Sequence, residues 1–169
     1  MKAITIYQPW ASLIALGLKG FETRSWETKY RGRITIHAGK RIVMPHDNWA
    51  LWNRILDFVG SDGEWKEPPL YARLDGTALS HKQFPLGAII ATADLVGCNQ
   101  IVRYGGRGGA STDPGWLLID DEPYFPTENE YLFGDWTPGR FAWKLENVQL
   151  LPEPIPAKGM QGLWNWGGE

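Results

Sequence analysis

Gly17-Leu18-Lys19-Gly20-Phe21-Glu22-Thr23-Arg24-Ser25-Trp26, followed four residues later by Arg31-Gly32-Arg33-Ile34-Thr35-Ile36-His37, is the stretch whose reading decides the fold. The second run alternates apolar and polar side chains, the period of a strand with one face on a core. Ile34 and Ile36 take the core face, so Arg31, Arg33, Thr35 and His37 share the opposite one. The β-formers Phe21, Thr23 and Trp26 make residues 21–26 a second extended segment. There Glu22, Arg24 and Trp26 point one way, and Phe21, Thr23 and Ser25 the other. A hairpin joining the two strands would bring their charged faces to one cleft.

Upstream, Ala3-Ile4-Thr5-Ile6-Tyr7 reads as a short strand, and Pro9 suits the first turn of a helix, where a missing N–H is harmless. Trp10, Leu13 and Ile14 repeat at helical spacing, and Gly17 is the natural C-terminal stop, which predicts a helix over 9–16. It hands the chain directly to Lys19. Downstream, Asp47 caps a second expected helix that Gly60 ends, with Trp49, Trp52, Ile55, Leu56 and Val59 on one side. Residues 60–85, rich in Gly, Pro and charge, form an irregular insertion.

A long β run over 86–96 follows, then a flexible loop over 103–115 that contains Tyr104-Gly105-Gly106-Arg107-Gly108-Gly109. Residues 140–148 alternate as another strand. Prolines 152, 154 and 156 then extend the chain toward Gly162-Leu163-Trp164. Several short strands, two main helices and many turns indicate one domain over 1–169, a small α+β barrel with flanking helices.

The net charge of −2 hides an asymmetry. Residues 1–45 carry eight Lys and Arg against Glu22 and Glu27, six net positive charges, and the other 124 residues are eight net negative. A basic zone on an acidic remainder attracts phosphates locally. Ten tryptophans are the other outlier. Most belong in the core, and a minority at a cleft mouth would stack a base. One cysteine, Cys98, precludes an internal disulfide and fits a reducing compartment. With no apolar leader and no membrane-length apolar run, a cytoplasmic or nuclear location away from membranes is expected.

Familiar catalytic patterns are missing. Histidines 37, 46 and 81 and one cysteine give no zinc spacing, and Asp120-Asp121-Glu122 lacks the periodic oxygens of a calcium loop. Neither a phosphate loop nor a nucleophile elbow occurs. No cofactor or metal is expected. What remains is residues 17–41: Lys19, Glu22, Arg24, Trp26, Arg31, Arg33, His37 and Lys40. Arginine offers forked donors for a phosphate or a base edge, lysine a mobile charge, and Glu22 an acceptor among cations. The plain reading of Glu22 and Arg24 is a same-face ion pair on a solvated strand.

The ordered set Gln8-Pro9-Trp10-Ala11-Ser12, Gly17-x-Lys19-x-x-Glu22-x-Arg24-Ser25-Trp26 and Arg31-Gly32-Arg33 resembles the ASCH domain family of the PUA-like superfamily. Trp143 in a strand and Gly162-Leu163-Trp164 after a proline-rich turn resemble the family's ending. The resemblance implies a PUA-like β-barrel whose cleft lies beside the first helix, and an RNA- or DNA-binding role. A bacterial branch of the family hydrolyses the acetyl amide of acetylated cytidine with a lysine matching Lys19, a threonine and a distant glutamate. Here Glu22 holds the threonine's slot, and the resemblance does not place the glutamate.

Two functions therefore stand. One is a module that binds RNA, DNA or a nucleotide-like ligand. The alternative is a small amidohydrolase on an acylated nucleoside, with Lys19 as nucleophile or base and Glu22 as its acid/base partner. A protein-interaction module is a third, plainer possibility.

Overall fold

The structure, a computed structural model, describes residues 1–43, 50–51, 84–103, 116–119 and 122–167. In chain order the elements are β1 (Lys2–Gln8), α1 (Trp10–Ala15), β2 (Phe21–Arg24), β3 (Gly32–Ile42), β4 (Ala88–Val102), β5 (Trp116–Ile119) and β6 (Glu122–Tyr124). They are followed by α2 (Glu128–Phe133), β7 (Phe141–Pro156) and β8 (Leu163–Asn165). The fold is α+β and dominated by strands. The helix expected over 47–60 lies outside the described residues except for Ala50 and Leu51, which are helical. Residues 60–83 of the insertion and 104–115 of the glycine loop also lie outside them.

One sheet runs β2-β7-β4-β3-β1-β8, with β5 and β6 attached off β4. It is open: among the described residues no backbone pairing joins β2 to β1 or β8, so the expected barrel appears as a sheet with two free ends. The expected hairpin between β2 and β3 does not form. Phe21 to Arg24 pair antiparallel with Lys144 to Phe141 of β7, while β3 lies between β1 and β4. A partner more than a hundred residues away has won over the nearest one.

The expected helix over 9–16 is α1, and its exit is specified by sequence. Gly17 at φ +73° ends it. Leu18 N–H donates to Leu13 O at 2.9 Å and Gly17 N–H to Ile14 O at 2.9 Å, the two bonds of a Schellman turn. Its entry is held by Gln8, wholly buried, whose Oε1 accepts from Ser12 N–H at 3.0 Å while its Nε2 donates to Pro85 O. The Gln-Pro-Trp-Ala-Ser run thus fixes α1 at both the strand and the helix side.

The central core is built from Ile4, Ile6, Ile14, Ile34, Ile36, Ile90, Leu95 and Trp143. Ile34 and Ile36 lie on the core face as the alternation predicts. The opposite face is not solvated along its whole length. Ala3, Ile89 and Trp164 bury a second cluster there, and His37 packs edge-on against Trp164 at 5.8 Å. The run over 140–148 continues as strand to Pro156. Its prolines are tolerated because β2 pairs only with the first four residues of β7, and among the described residues no strand pairs with that edge where the prolines lie.

Candidate nucleotide-binding cleft

Because the sheet curls without closing, β1 and β2 face each other across a gap. A cleft of about 640 Å³ occupies it. Thr5, Ile6, Tyr7 and Trp10 form one side, Glu22, Thr23, Arg24 and Trp26 the other. The end of α2 with the following turn (Leu132 to Asp135), Arg140 and the segment 160–162 complete the lining.

The Schellman turn delivers Lys19 behind β2, not into the opening. Lys19 is 1% exposed, and its Nζ donates to the Phe21 carbonyl and lies 3.9 Å from Glu22 Oε2. Burial lowers its amine below the ordinary lysine range, although the Glu22 and Glu130 carboxylates pull it back up. Glu22 Oε1 meets Arg24 Nε at 3.0 Å. Arg24 Nη2 continues across the gap and donates to Thr5 O at 2.7 Å. Glu22 is thus held between a buried amine behind it and a guanidinium beside it. Trp26 stands edge-on to Trp143, with ring centres 4.5 Å apart, and its carbonyl accepts from Trp143 Nε1.

The other four residues singled out from sequence lie elsewhere. Arg31 donates to the carbonyls of Thr28 and Tyr30 in its own loop. Arg33 ties three strands together: it pairs with Asp94 at 3.1 Å and donates to Thr92 Oγ1, Gln149 Oε1 and Asn147 O. His37 is buried, with Nε2 3.1 Å from Ala157 O. Lys40 is exposed and packs along Gly87. None of the four lines the cleft. Sharing a strand face with a core layer over part of its length has made Arg33 and His37 structural.

Three residues outside 17–41 contribute, two of them in the lining. Asp135 and Arg140 pair at 3.2 Å beside β2, where Asp135 N–H donates to Thr23 Oγ1 and Arg140 Nη2 to Thr23 O. Burial works to raise the Asp135 carboxyl, but the Thr137 hydrogen bonds and Arg140 outweigh it and hold the group below its usual range. Glu130, 7% exposed, takes the Gly20 N–H on Oε1, clamping the turn that carries Lys19. Burial raises its carboxyl above the usual range, against the pull of Lys19 and the Gly20 and Phe21 amides. Thr127-x-x-Glu130 is a capping-box signature, with Thr127 accepting from Glu130 N–H at 3.3 Å. That signature finds the helix. It gives no hint that the glutamate reaches Gly20 instead of its own cap.

Chemically, the lining offers two carboxylate–guanidinium pairs, Glu22 with Arg24 and Asp135 with Arg140, and two half-buried indoles. Such a lining matches an uncharged ring with both donors and acceptors better than it matches a phosphate. Among the described residues no three His, Cys, Asp or Glu side chains gather as metal ligands, and no helix is long and apolar enough to cross a membrane.

A family model described as the ASCH domain matches residues 4–112. Activating signal cointegrator 1 of Homo sapiens is 30% identical over 95 residues, which is 56% of this chain and 14% of that protein. The Mus musculus protein of the same name matches with the same identity and coverage. The similarity therefore spans a small part of each relative's length.

Proposed function

The chain belongs to the ASCH domain family, and from that premise we propose that it is a nucleic-acid-binding module whose cleft takes the base of one nucleotide. The family's relation to RNA-binding PUA-like domains supports the ligand class. The observation that carries the reading is the Glu22–Arg24 pair in the cleft lining, with Trp10 and Trp26 in the same lining. Indole faces stack on any base, and an adjacent carboxylate and guanidinium match an edge that offers a donor and an acceptor. The charges of the lining balance, Glu22 and Asp135 against Arg24 and Arg140. The base therefore enters and the sugar–phosphate stays outside. The barrel of the PUA-like fold belongs to the same reading: the cleft is the opening the unclosed sheet leaves.

Titration of the protein with nucleosides and with single-stranded oligonucleotides, followed by tryptophan fluorescence, tests this. Saturable quenching that weakens at least ten-fold in the double variant Glu22→Gln, Arg24→Ala is expected. No binding of any probe, or binding indifferent to that variant, would remove the reading.

The hydrolase alternative needs the Lys19 amine to reach a substrate carbonyl. Lys19 sits behind Glu22 with its amine on the Phe21 carbonyl, so we assign it the positioning of Glu22 and of the start of β2.

A further inference from the structure

At the edge of the cleft, the outer face of the sheet bears an aromatic–guanidinium pair. Tyr7 sits at the rim of the opening and is 47% exposed. Its ring is laid against Gly39 of the neighbouring strand, where an added Cβ would come within 2.9 Å of the ring and 3.3 Å of Thr5. Any side chain at position 39 would lift the ring off the sheet. Arg41, two residues further on the same face and exposed, brings its guanidinium 5.6 Å from the Tyr7 ring centre. A cation at this distance from an aromatic ring is attracted to it, and the charge remains open to solvent.

The position of this pair matters. Tyr7 stands two residues along β1 from Thr5, roughly 7 Å at the rise of a strand. Thr5 is the residue whose carbonyl Arg24 grips across the cleft. The ring, laid on Gly39, thus lies about one nucleotide step from the group that holds the cleft together, with the exposed Arg41 guanidinium beside it.

We propose that Tyr7 and Arg41 form a second, flanking-nucleotide subsite, so that the ligand is a single-stranded polynucleotide and not a free nucleoside. The base adjacent to the one in the cleft stacks on Tyr7, and Arg41 neutralises the phosphate that joins the two. This rests on the cleft reading above and extends it by naming the length and continuity of the ligand. No bond is made or broken.

The experiment compares two probes, a free nucleoside mixture and random-sequence single-stranded tetranucleotides, each in ribo and deoxyribo forms. The quantity read is the affinity gain of the tetranucleotide over the nucleoside. Tyr7→Ala is expected to reduce that gain about ten-fold, as loss of one stacked base does, and Tyr7→Phe to keep it. Arg41→Gln is expected to leave nucleoside binding unchanged and to reduce the salt slope of tetranucleotide binding by about 0.7, one phosphate's share on a single strand. If Tyr7→Ala does not fold, Tyr7→Leu, which keeps apolar area without a ring, makes the same comparison. A gain that survives loss of the ring, or a salt slope unmoved by Arg41→Gln, overturns the subsite and leaves the cleft reading standing. A wild-type protein that binds neither probe overturns both. The ribo and deoxyribo arms identify the sugar the strand carries.

Discussion

Arg24 Nη2 donates to the backbone carbonyl of Thr5 at 2.7 Å, so the gap between β2 and β1 is crossed by a side chain where a closed barrel would have a backbone ladder. The same guanidinium holds Glu22 through Nε. One residue thereby sets both the width of the cleft and the orientation of its main acceptor.

Replacing Arg24 by alanine should lower nucleic-acid affinity and also loosen the sheet end. Loss of a charge-assisted hydrogen bond and of the partner of a mostly buried carboxylate is expected to reduce stability by about 2 kcal/mol. Arg24→Lys should recover part of that stability but little binding, because an ammonium cannot serve Thr5 and Glu22 from two edges at once. Urea denaturation and the nucleoside titration read the two effects separately.

Lys19→Ala leaves the buried carboxylates Glu22 and Glu130 without the amine between them. Loss of about 3 kcal/mol is expected, in the range for breaking a buried pair, measured by urea denaturation. The positioning role further predicts that the wild-type protein does not deacylate acetylated cytidine. Release of the free nucleoside, followed by mass spectrometry and abolished by Lys19→Met, would reinstate the hydrolase.

Gly159 lies against His37, where an added Cβ would fall 2.4 Å from Cε1 and 2.8 Å from Thr5 Oγ1. The imidazole is pinned between Ala157 O and Trp164 and has nowhere to retreat. Gly159→Ala should therefore cost about 2 kcal/mol by overpacking. Because Met160 to Gly162 line the cleft, it should weaken nucleoside binding as well. A variant as stable as wild type in thermal denaturation would contradict the tight packing.

The same histidine gives stability a pH dependence. Burial holds His37 below the ordinary imidazole value of 6.5, with the Ala157 carbonyl pulling the other way. As pH falls below 6.5 the unfolded chain takes up a proton that the folded chain refuses, so stability drops until the lower folded value is reached. Above 6.5 this contribution is constant. Glu130 acts in the opposite sense: its folded value is raised above 4.5, so the stability it adds when protonated is lost as pH rises through that folded value. Urea midpoints from pH 4 to 8 should lose their acid-side fall in His37→Gln, and that fall should steepen in Glu130→Gln.

Much of the N-terminal third was legible in the sequence. The core face of Ile34 and Ile36, the helix ended by Gly17 and the extended character of 21–24 follow from periods and stop signals that act within a few residues. Pairing was not legible. β2 is joined to β7 because Trp143 and Phe21 bury their rings on either side of that pair, and no local pattern encodes such a choice. For the same reason nothing local tied Asp135 and Arg140 to the cleft or Glu130 to Gly20, since each meets its partner from over a hundred residues away. Charge counting placed Arg31, Arg33, His37 and Lys40 beside Lys19, yet each serves its own loop, strands or segment. A sum along the chain registers how many cations there are, and not where their side chains end.

A gap crossed by a single guanidinium behaves like a calliper. Its jaws are two strands, each with its own ladder on the far side, to β3 and β8 for β1 and to β7 for β2. The span accepted between them then depends on side-chain length at position 24, and a substitution there resizes the opening while every backbone ladder keeps its register.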